Sequence, residues 1–420
     1  MGNLRISNID DSTVAAAEAP PVTPAWPRSR LPVGPVLSLA SFRRGNYRRV
    51  PSILDAGQRR YVTSGRVAIA QALRQAGVQA GDSVLVPSYH CASMVEPVIW
   101  AGATPVFYRV NADTSVNLDD VASKLDGRCK LLMATNYFGF PQDGRALRAF
   151  CDQHGLLLLE DCAHSFLGQS GGQPIGSWGD YAIASSMKFF PIYEGGCLVS
   201  ARRPLDGVRL QSAGAGFEAK AMLNTLENGW HYDRLGLLRA LVWAPMQLKA
   251  VLWRQIKARR NPAAAPLAPG SSDGGFGFDP LWLDKRSSLF SRTILHLVSR
   301  NRMGALRRSH YQRLQEALAG LPGCHPLFPS LPDGVYPWVF PLQVDEPQAL
   351  FRALKTQGVP VVRFGEFLWP GVDASVCANS VQLSRQVLQL PCHQELRAAE
   401  LEWMIEQVRS AVLAQEARPR

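Results

Sequence analysis

The chain has 420 residues, 46% of them hydrophobic, which is enough for one large domain and a smaller one without staples. Its eight cysteines form no C-x-x-C pair and no Cys/His cluster at zinc spacing, so no metal module or disulfide scaffold is expected, and free thiols in a reducing cytosol are. The net charge of +11 is spread over residues near 28–60, 234–260 and 284–308, which suits a basic face for anionic substrates at least as well as a nucleic-acid surface.

Residues 1–12 carry Asp10 and Asp11 and no apolar core, so no signal peptide is expected. Gly2 invites a myristoylation reading that Ile6 at the sixth position breaks. No run of about 18 apolar residues predicts a spanning helix. Residues 1–45, rich in Ala, Pro and Arg, read as a flexible tail draped over the core or detached from it.

Helical and strand patterns then alternate from about 60 to 200. Val67, Ala70, Leu73 and Ala76 predict a helix over Ser64–Ala76, punctuated by Gly77 and Gly81. A strand at Ser83–Val86, a helix at Val95–Gly102 and a strand at Thr104–Tyr108 follow. Leu131–Thr135 and Leu156–Glu160 are further apolar strands, with a helix over Asp143–His154 between them. This alternation predicts an α/β large domain with a mostly parallel sheet, over residues 46–285. Residues 262–276 read as a loop. A long helical stretch over about 290–320, strands at Trp338–Leu342 and Val359–Arg363, and helices over Pro347–Gln357 and Arg397–Gln415 predict a smaller α+β domain over residues 286–420.

Three segments carry candidate chemistry. Glu160-Asp161-Cys162-Ala163-His164 follows an apolar strand, and the carboxyl ends of strands are where open α/β sheets bind ligands. An acid there can pair with a protonated pyridine nitrogen or merely cap a turn. Ser185-Ser186-Met187-Lys188 sits between an apolar strand and a turn, where desolvation would make an amine nucleophilic; an ordinary exposed lysine is the other reading. Thr63-Ser64-Gly65-Arg66 opens a helix and offers a phosphate site or a simple N-cap.

Together these segments resemble the DegT/DnrJ/EryC1/StrS family of sugar aminotransferases. The likeness extends to Gly81–Tyr89, Gly102–Phe107 and Tyr137-Phe138-Gly139-Phe140-Pro141, and returns more weakly at 284–316 and 334–412. It implies a fold type I, three-layer, pyridoxal-phosphate-dependent transferase. Lys188 matches the lysine that holds the cofactor aldehyde and shuttles the proton. Asp161 matches the partner of the pyridine nitrogen, and His164 a position near the phenolic oxygen. Ser64, Gly65, Arg66 and Ser185 match the phosphate segment, and Glu194-Gly195-Gly196 the glycine-rich turn after the lysine. The family's ring-stacking position falls on Cys91, with His90 or Tyr89 as the alternative cover. Asn136 stands where the family has His, and no clear counterpart exists near Arg286-Ser287 for the Asn that a neighbouring subunit supplies. Lys188 argues against the family's histidine branch, which dehydrates sugars.

The resemblance implies an aminotransferase that moves an amino group from an amino-acid donor, glutamate by family likeness, to a keto-sugar linked to a nucleotide, in polysaccharide, glycolipid or secondary-metabolite biosynthesis. A cyclitol or other small keto acceptor, or a non-catalytic regulator retaining the fold, are the alternatives. A cytoplasmic homodimer is implied, with no nucleic-acid partner. One segment stands outside the family pattern. Residues 230–260 combine an apolar stripe (Leu235, Leu238, Leu241, Leu248, Leu252) with many basic residues, interrupted by Pro245. They read as a helical insertion packed on the protein itself, or as a peripheral membrane contact.

Overall fold

A computed structural model describes residues 26–236 and 277–417. The expected loop at 262–276 and all but 230–236 of the basic segment lie outside the described residues. The large sheet comprises β1 (Gln58–Val62), β2 (Ser83–Pro87), β3 (Thr104–Tyr108), β4 (Cys129–Thr135), β5 (Leu157–Asp161), β8 (Tyr181–Ala184) and β9 (Gly196–Ser200), in the order β1-β9-β8-β5-β4-β2-β3. Between β5 and β8 lies a short hairpin of β6 (Gln169–Ser170) and β7 (Gln173–Pro174). Strands β8, β5, β4, β2 and β3 pair in parallel, and β9 runs against both β8 and β1.

The helices that cross between these strands are α1 (Gly65–Gln75), α2 (Ala92–Trp100), α3 (Leu118–Ser123) and α4 (Gly144–His154). Their ends follow side-chain chemistry. Ser64 caps α1 by accepting from the Val67 N–H, and Asp143 caps α4 by accepting from the Ala146 N–H at 3.0 Å. Gly155 ends α4 in the left-handed region, φ 66°, where a side chain would be strained. Both faces of the sheet are covered, as in parallel sheets generally. Ile183 and Leu198 join a core with α1, α2 and α4, while their neighbours Ala182, Ala184, Cys197 and Val199 join another with Ile53, Ile294 and Met303.

Farther on come α5 (Ala215–His231), α6 (Leu289–Leu297) and α7 (Arg300–Leu318). The expected long helix over 290–320 is two helices: Val298 is extended, and Ser299 caps α7 by accepting from the Arg302 N–H. A second, antiparallel sheet of β10 (Cys324–Pro326), β11 (Val339–Val344), β12 (Val362–Arg363) and β13 (Val387–Pro391) has the order β10-β11-β13-β12. It packs with α7, α8 (Pro347–Thr356) and α10 (Ala398–Glu416); α9 (Ala374–Gln386) precedes β13.

The described part of the N-terminal region lies over the core, one of the two placements expected of it, and is held in place rather than loose. Residues 26–38 form a strap against the C-terminal half. Leu31 is buried among Leu342, Leu390 and Met404, and Val36 and Leu37 are buried too. The Arg30 N–H donates to the Gly358 carbonyl, His393 Nε2 bonds the Pro32 carbonyl at 3.0 Å, and Ser38 Oγ donates to Glu395 at 2.6 Å. Composition alone made this stretch look unstructured because its partners lie far away in sequence.

Candidate active site

Neighbouring strands of the parallel sheet end side by side, and this places the site. Thr135 closes β4, Asp161 closes β5 opposite it, and Ile183 of β8 lies opposite Asp161. Ser185 follows β8, and the chain then makes a tight turn over Ser186–Lys188. The N-terminus of α1 comes to the same place: a Cβ placed on Gly65 would lie 3.5 Å from the Ser185 Cβ. These ends open on a cavity of about 310 Å³ lined by Ser64, Gly65, Arg66, Cys91, Asp161, His164, Ser185 and Lys188 among others.

Burial sets the electrostatics. Asp161 is 2% exposed; its Oδ1 accepts from the Ala163 N–H at 2.8 Å. Burial pushes its carboxyl above the usual range, opposed by that hydrogen bond and by the Lys188 charge. Burial likewise lowers the Lys188 amine, opposed by Cys91 and Asp161 and assisted by Arg66. Lysine and aspartate thus perturb each other across the cavity, and the lysine gives up its proton more readily than in water. His164 is 1% exposed and held well below its ordinary value, first by burial and then by Lys188. A neutral imidazole beside a lysine amine is the result.

Arg66 donates to Ser93 Oγ at 2.9 Å and to the Gly277 carbonyl, and lies 3.9 Å from Glu96. It therefore brings positive charge to the start of α1, whose first-turn amides have no intrahelical acceptors.

The structure does not bring His90 to the cavity. Its Nδ1 lies 3.0 Å from the Pro87 and Ser88 carbonyls, and its Nε2 accepts from the Trp369 N–H at 2.9 Å. Carbonyls only accept, so the Nδ1 carries the proton and both nitrogens are committed to backbone. The ring stacks on Phe107, and burial pushes its pKa down to about 4. Tyr89 is likewise fully buried, against Tyr137 and Phe364. His90 therefore ties loops together and does not line the cavity.

Trp338 is a lining residue in contact with Lys188 that the sequence reading missed. Its ring stacks on His164 with centroids 4.0 Å apart, and Lys188 Nζ lies 4.5 Å from its centroid. It comes from the entry to β11. The Tyr137-Phe138-Gly139 motif puts it there: the Trp338 N–H donates to the Phe138 carbonyl at 2.8 Å, with Phe138 held at φ 58°. A Cβ on Gly139 would lie 2.5 Å from Pro337 Cα, so only glycine allows this docking. The signal was present as an aromatic residue at a strand entry, but nothing in it pointed to the lysine. Val33 and Gly34 of the strap also line the cavity.

The turn after the lysine is explained by close approach. A Cβ on Gly196 would lie 2.5 Å from the Ser64 carbonyl, and the Gly195 N–H donates to the Thr63 carbonyl. Glu194, fully buried, accepts at Oε1 from Ser287 Oγ and from the N–H and Oγ of Ser288. Burial pushes its carboxyl up to about 7.

A buried lysine and aspartate facing one cavity at strand ends, beside a helix start, define the kind of site that holds an aldehyde cofactor with a protonatable ring and a phosphate. The residues present fit pyridoxal phosphate. Ser64, Gly65, Arg66 and Ser185 offer the phosphate cradle, Asp161 the acid and Lys188 the amine. His164 Nδ1, on a lining residue, is buried without a hydrogen-bond partner among the described residues and remains to serve a ligand.

The DegT/DnrJ/EryC1/StrS aminotransferase family model matches residues 57–220, the segment that builds this cavity's floor. The chain is 34% identical over 142 residues to the GDP-perosamine synthase of Vibrio cholerae, covering 33% of this chain and 39% of that protein. It is 31% identical over 213 residues to a UDP-N-acetyl-3-dehydro-alpha-D-glucosamine 3-aminotransferase of Acidithiobacillus ferrooxidans, covering 49% of this chain and 55% of that protein. The chain thus spans about half the length of the curated relatives it matches, or less. The putative sugar aminotransferase Spr1654 of Streptococcus pneumoniae, in its PLP form, superposes with a TM-score of 0.63 at 16% identity, over 92% of this chain and 98% of that one. This likeness establishes the fold as that of the solved aminotransferases.

Proposed function

We propose that the protein is a pyridoxal-phosphate-dependent aminotransferase that transfers an amino group from an amino-acid donor, glutamate in the first instance, to a keto-sugar carried on a nucleotide. The observation that carries this reading is the placement of Lys188 and Asp161 on one cavity with the α1 N-terminus and Ser185. Two of the relatives matched carry names that refer to GDP- and UDP-linked sugars, which supports the acceptor class. The net charge of +11 favours an anionic acceptor.

The residues divide the work. Ser64, Gly65, Arg66 and Ser185 hold the phosphate through amides, hydroxyls and positive charge. Asp161 keeps the ring nitrogen protonated. When bound, the cofactor supplies an electron sink for the charge left at the donor's α-carbon. Lys188 Nζ, with its proton affinity lowered by burial, takes the α-proton and later returns a proton to the product carbon. Trp338, Phe364 and Met94 wall the site and keep water from the amine. We also infer a cytoplasmic homodimer, as the family likeness implies. For residues 230–260 the packing of the described part, with Leu235 buried and Arg234 paired to Glu400, supports an insertion packed on the protein over a peripheral membrane contact.

The test is an absorbance spectrum of the purified protein with pyridoxal phosphate, before and after glutamate, for wild type and Lys188→Ala. The expected result is a visible band of lysine-bound cofactor in the wild type that glutamate bleaches and that Lys188→Ala lacks. Loss of the amine should cost on the order of 10²–10⁴-fold in turnover. A folded wild type with no such band would overturn the reading and favour a non-catalytic protein on this fold. A screen of keto-sugars against keto-cyclitols then identifies the acceptor.

A further inference from the structure

Arg307, on α7, is fully buried although it bears a charge. Its guanidinium spends its donors almost wholly on backbone. Nη1 donates to the Pro337 carbonyl at 3.1 Å and to the Trp338 carbonyl at 2.9 Å, and Nη2 to the Lys188 carbonyl at 3.3 Å. Nε donates to Gln394 Oε1 at 2.9 Å, and Gln394 Nε2 donates onward to the Phe189 carbonyl at 2.8 Å. The guanidinium carbon also sits 4.5 Å from the Phe189 ring centroid. Burial lowers Arg307 to about 10, which still leaves it charged at neutral pH. Desolvating a guanidinium is costly, and here backbone and amide dipoles compensate, with further support from Cys392 and Glu395.

Two consecutive carbonyls, those of Lys188 and Phe189, are therefore gripped from the C-terminal half, and Arg307 holds the carbonyl of Trp338 as well. Lys188 and Trp338 are the two groups in contact across the cavity, with Nζ 4.5 Å from the ring centroid. One side chain thus fixes the backbone beneath both. Cys91, Asp161 and Arg66 act on the Lys188 amine itself, while Arg307 grips the lysine at its carbonyl.

We propose that Arg307, with Gln394, is a positioning residue that sets the reach of Lys188 toward the cofactor and substrate. It rests on the reading of Lys188 as the cofactor lysine. A carbonyl freed from its donor lets the 186–190 turn relax, and small displacements of an acid-base group are expensive in rate.

The experiment uses the full chain loaded with pyridoxal phosphate: wild type, Arg307→Met, Arg307→Lys and Gln394→Leu, each checked by circular dichroism. Two readings are taken. One is the pH midpoint of the lysine-bound absorbance band; the other is the rate of its bleaching against glutamate concentration. In Arg307→Met and Gln394→Leu the midpoint should move by about 0.5 or more, and the limiting rate should fall on the order of 10-fold with half-saturation within about 2-fold. Arg307→Lys should recover part of the rate, because an ammonium still reaches some of the carbonyls. If Arg307→Met fails to fold, Gln394→Leu decides on the same readings. Folded variants with wild-type midpoint and rate would overturn the positioning role while leaving the cofactor lysine in place. A wild type without the band would remove both.

Discussion

At the scale of single residues, burial explains more than proximity. Asp161 raises the Lys188 amine, so removing its charge should lower it further. In Asp161→Asn the Lys188 amine of the cofactor-free protein should therefore titrate at a more acid pH than in wild type, and turnover of the loaded protein should fall on the order of 10²-fold; the pH dependence of lysine acylation and steady-state rates check the two. Glu194 makes an independent prediction. Its folded pKa of about 7 lies above the unfolded value, so the folded state binds more protons between about pH 4.5 and 7. Its contribution is fully present below about pH 4.5 and is lost as pH rises through about 7, on the order of 3 kcal/mol. Glu194→Gln should thus unfold at a higher temperature than wild type at pH 8, with the gap closing toward pH 4.5. Thermal melts across that range decide it. Lys188 and Asp161 were singled out in the sequence by the family resemblance, since strand-end position and residue type alone left a turn cap and an ordinary lysine as the other readings; the structure places both on one cavity. The withdrawal of His90 was not, since the Trp369 N–H that occupies its Nε2 lies far away in the chain.

At the scale of elements, the seam between Gly196 and Ser64 is the tightest joint of the site. Gly196→Ala would set a methyl 2.5 Å from the Ser64 carbonyl and push the α1 start away from Ser185. The expected outcome is a loss of about 1–3 kcal/mol in stability and pyridoxal phosphate binding weakened on the order of tenfold. Urea unfolding and absorbance titration measure these. The helices α1 and α4 and the strands β2 to β5 were readable because caps, left-handed glycines and continuous apolar runs are local signals. The reading did not separate β1, β9 and α5 as elements. Strand β1 is Gln-Arg-Arg-Tyr-Val, polar at its exposed end, and pairs with β9 from far along the chain. The break at Val298-Ser299 was missed because both flanking helices carry helical spacing, and only the Ser299 cap divides them.

For the whole molecule, the strap is the largest revision. Leu31 inserts into the C-terminal core, so Leu31→Ala should cost about 2–4 kcal/mol, far more than truncation in a detached tail would. Equilibrium denaturation distinguishes the two. A stretch with Pro32, Gly34 and Pro35 looks disordered by composition, and only tertiary partners at Gly358, His393 and Glu395 order it. Among the described residues no helix is long and apolar enough to cross a membrane.

The cavity's composition has one more consequence. Its floor, with Lys188, Asp161 and Ser64, belongs to the parallel sheet, while Trp338 and Phe364 on its wall, and the strap beneath Val33 and Gly34, are anchored to the C-terminal half. On the proposed reading, the amine chemistry rests on the sheet, and much of the wall facing an acceptor comes from the C-terminal half. Descendants of such a gene can drift in the wall, trading one acceptor for another, while the floor stays under constraint. A swap of the 332–369 segment between such descendants should transfer acceptor choice without disturbing the amine.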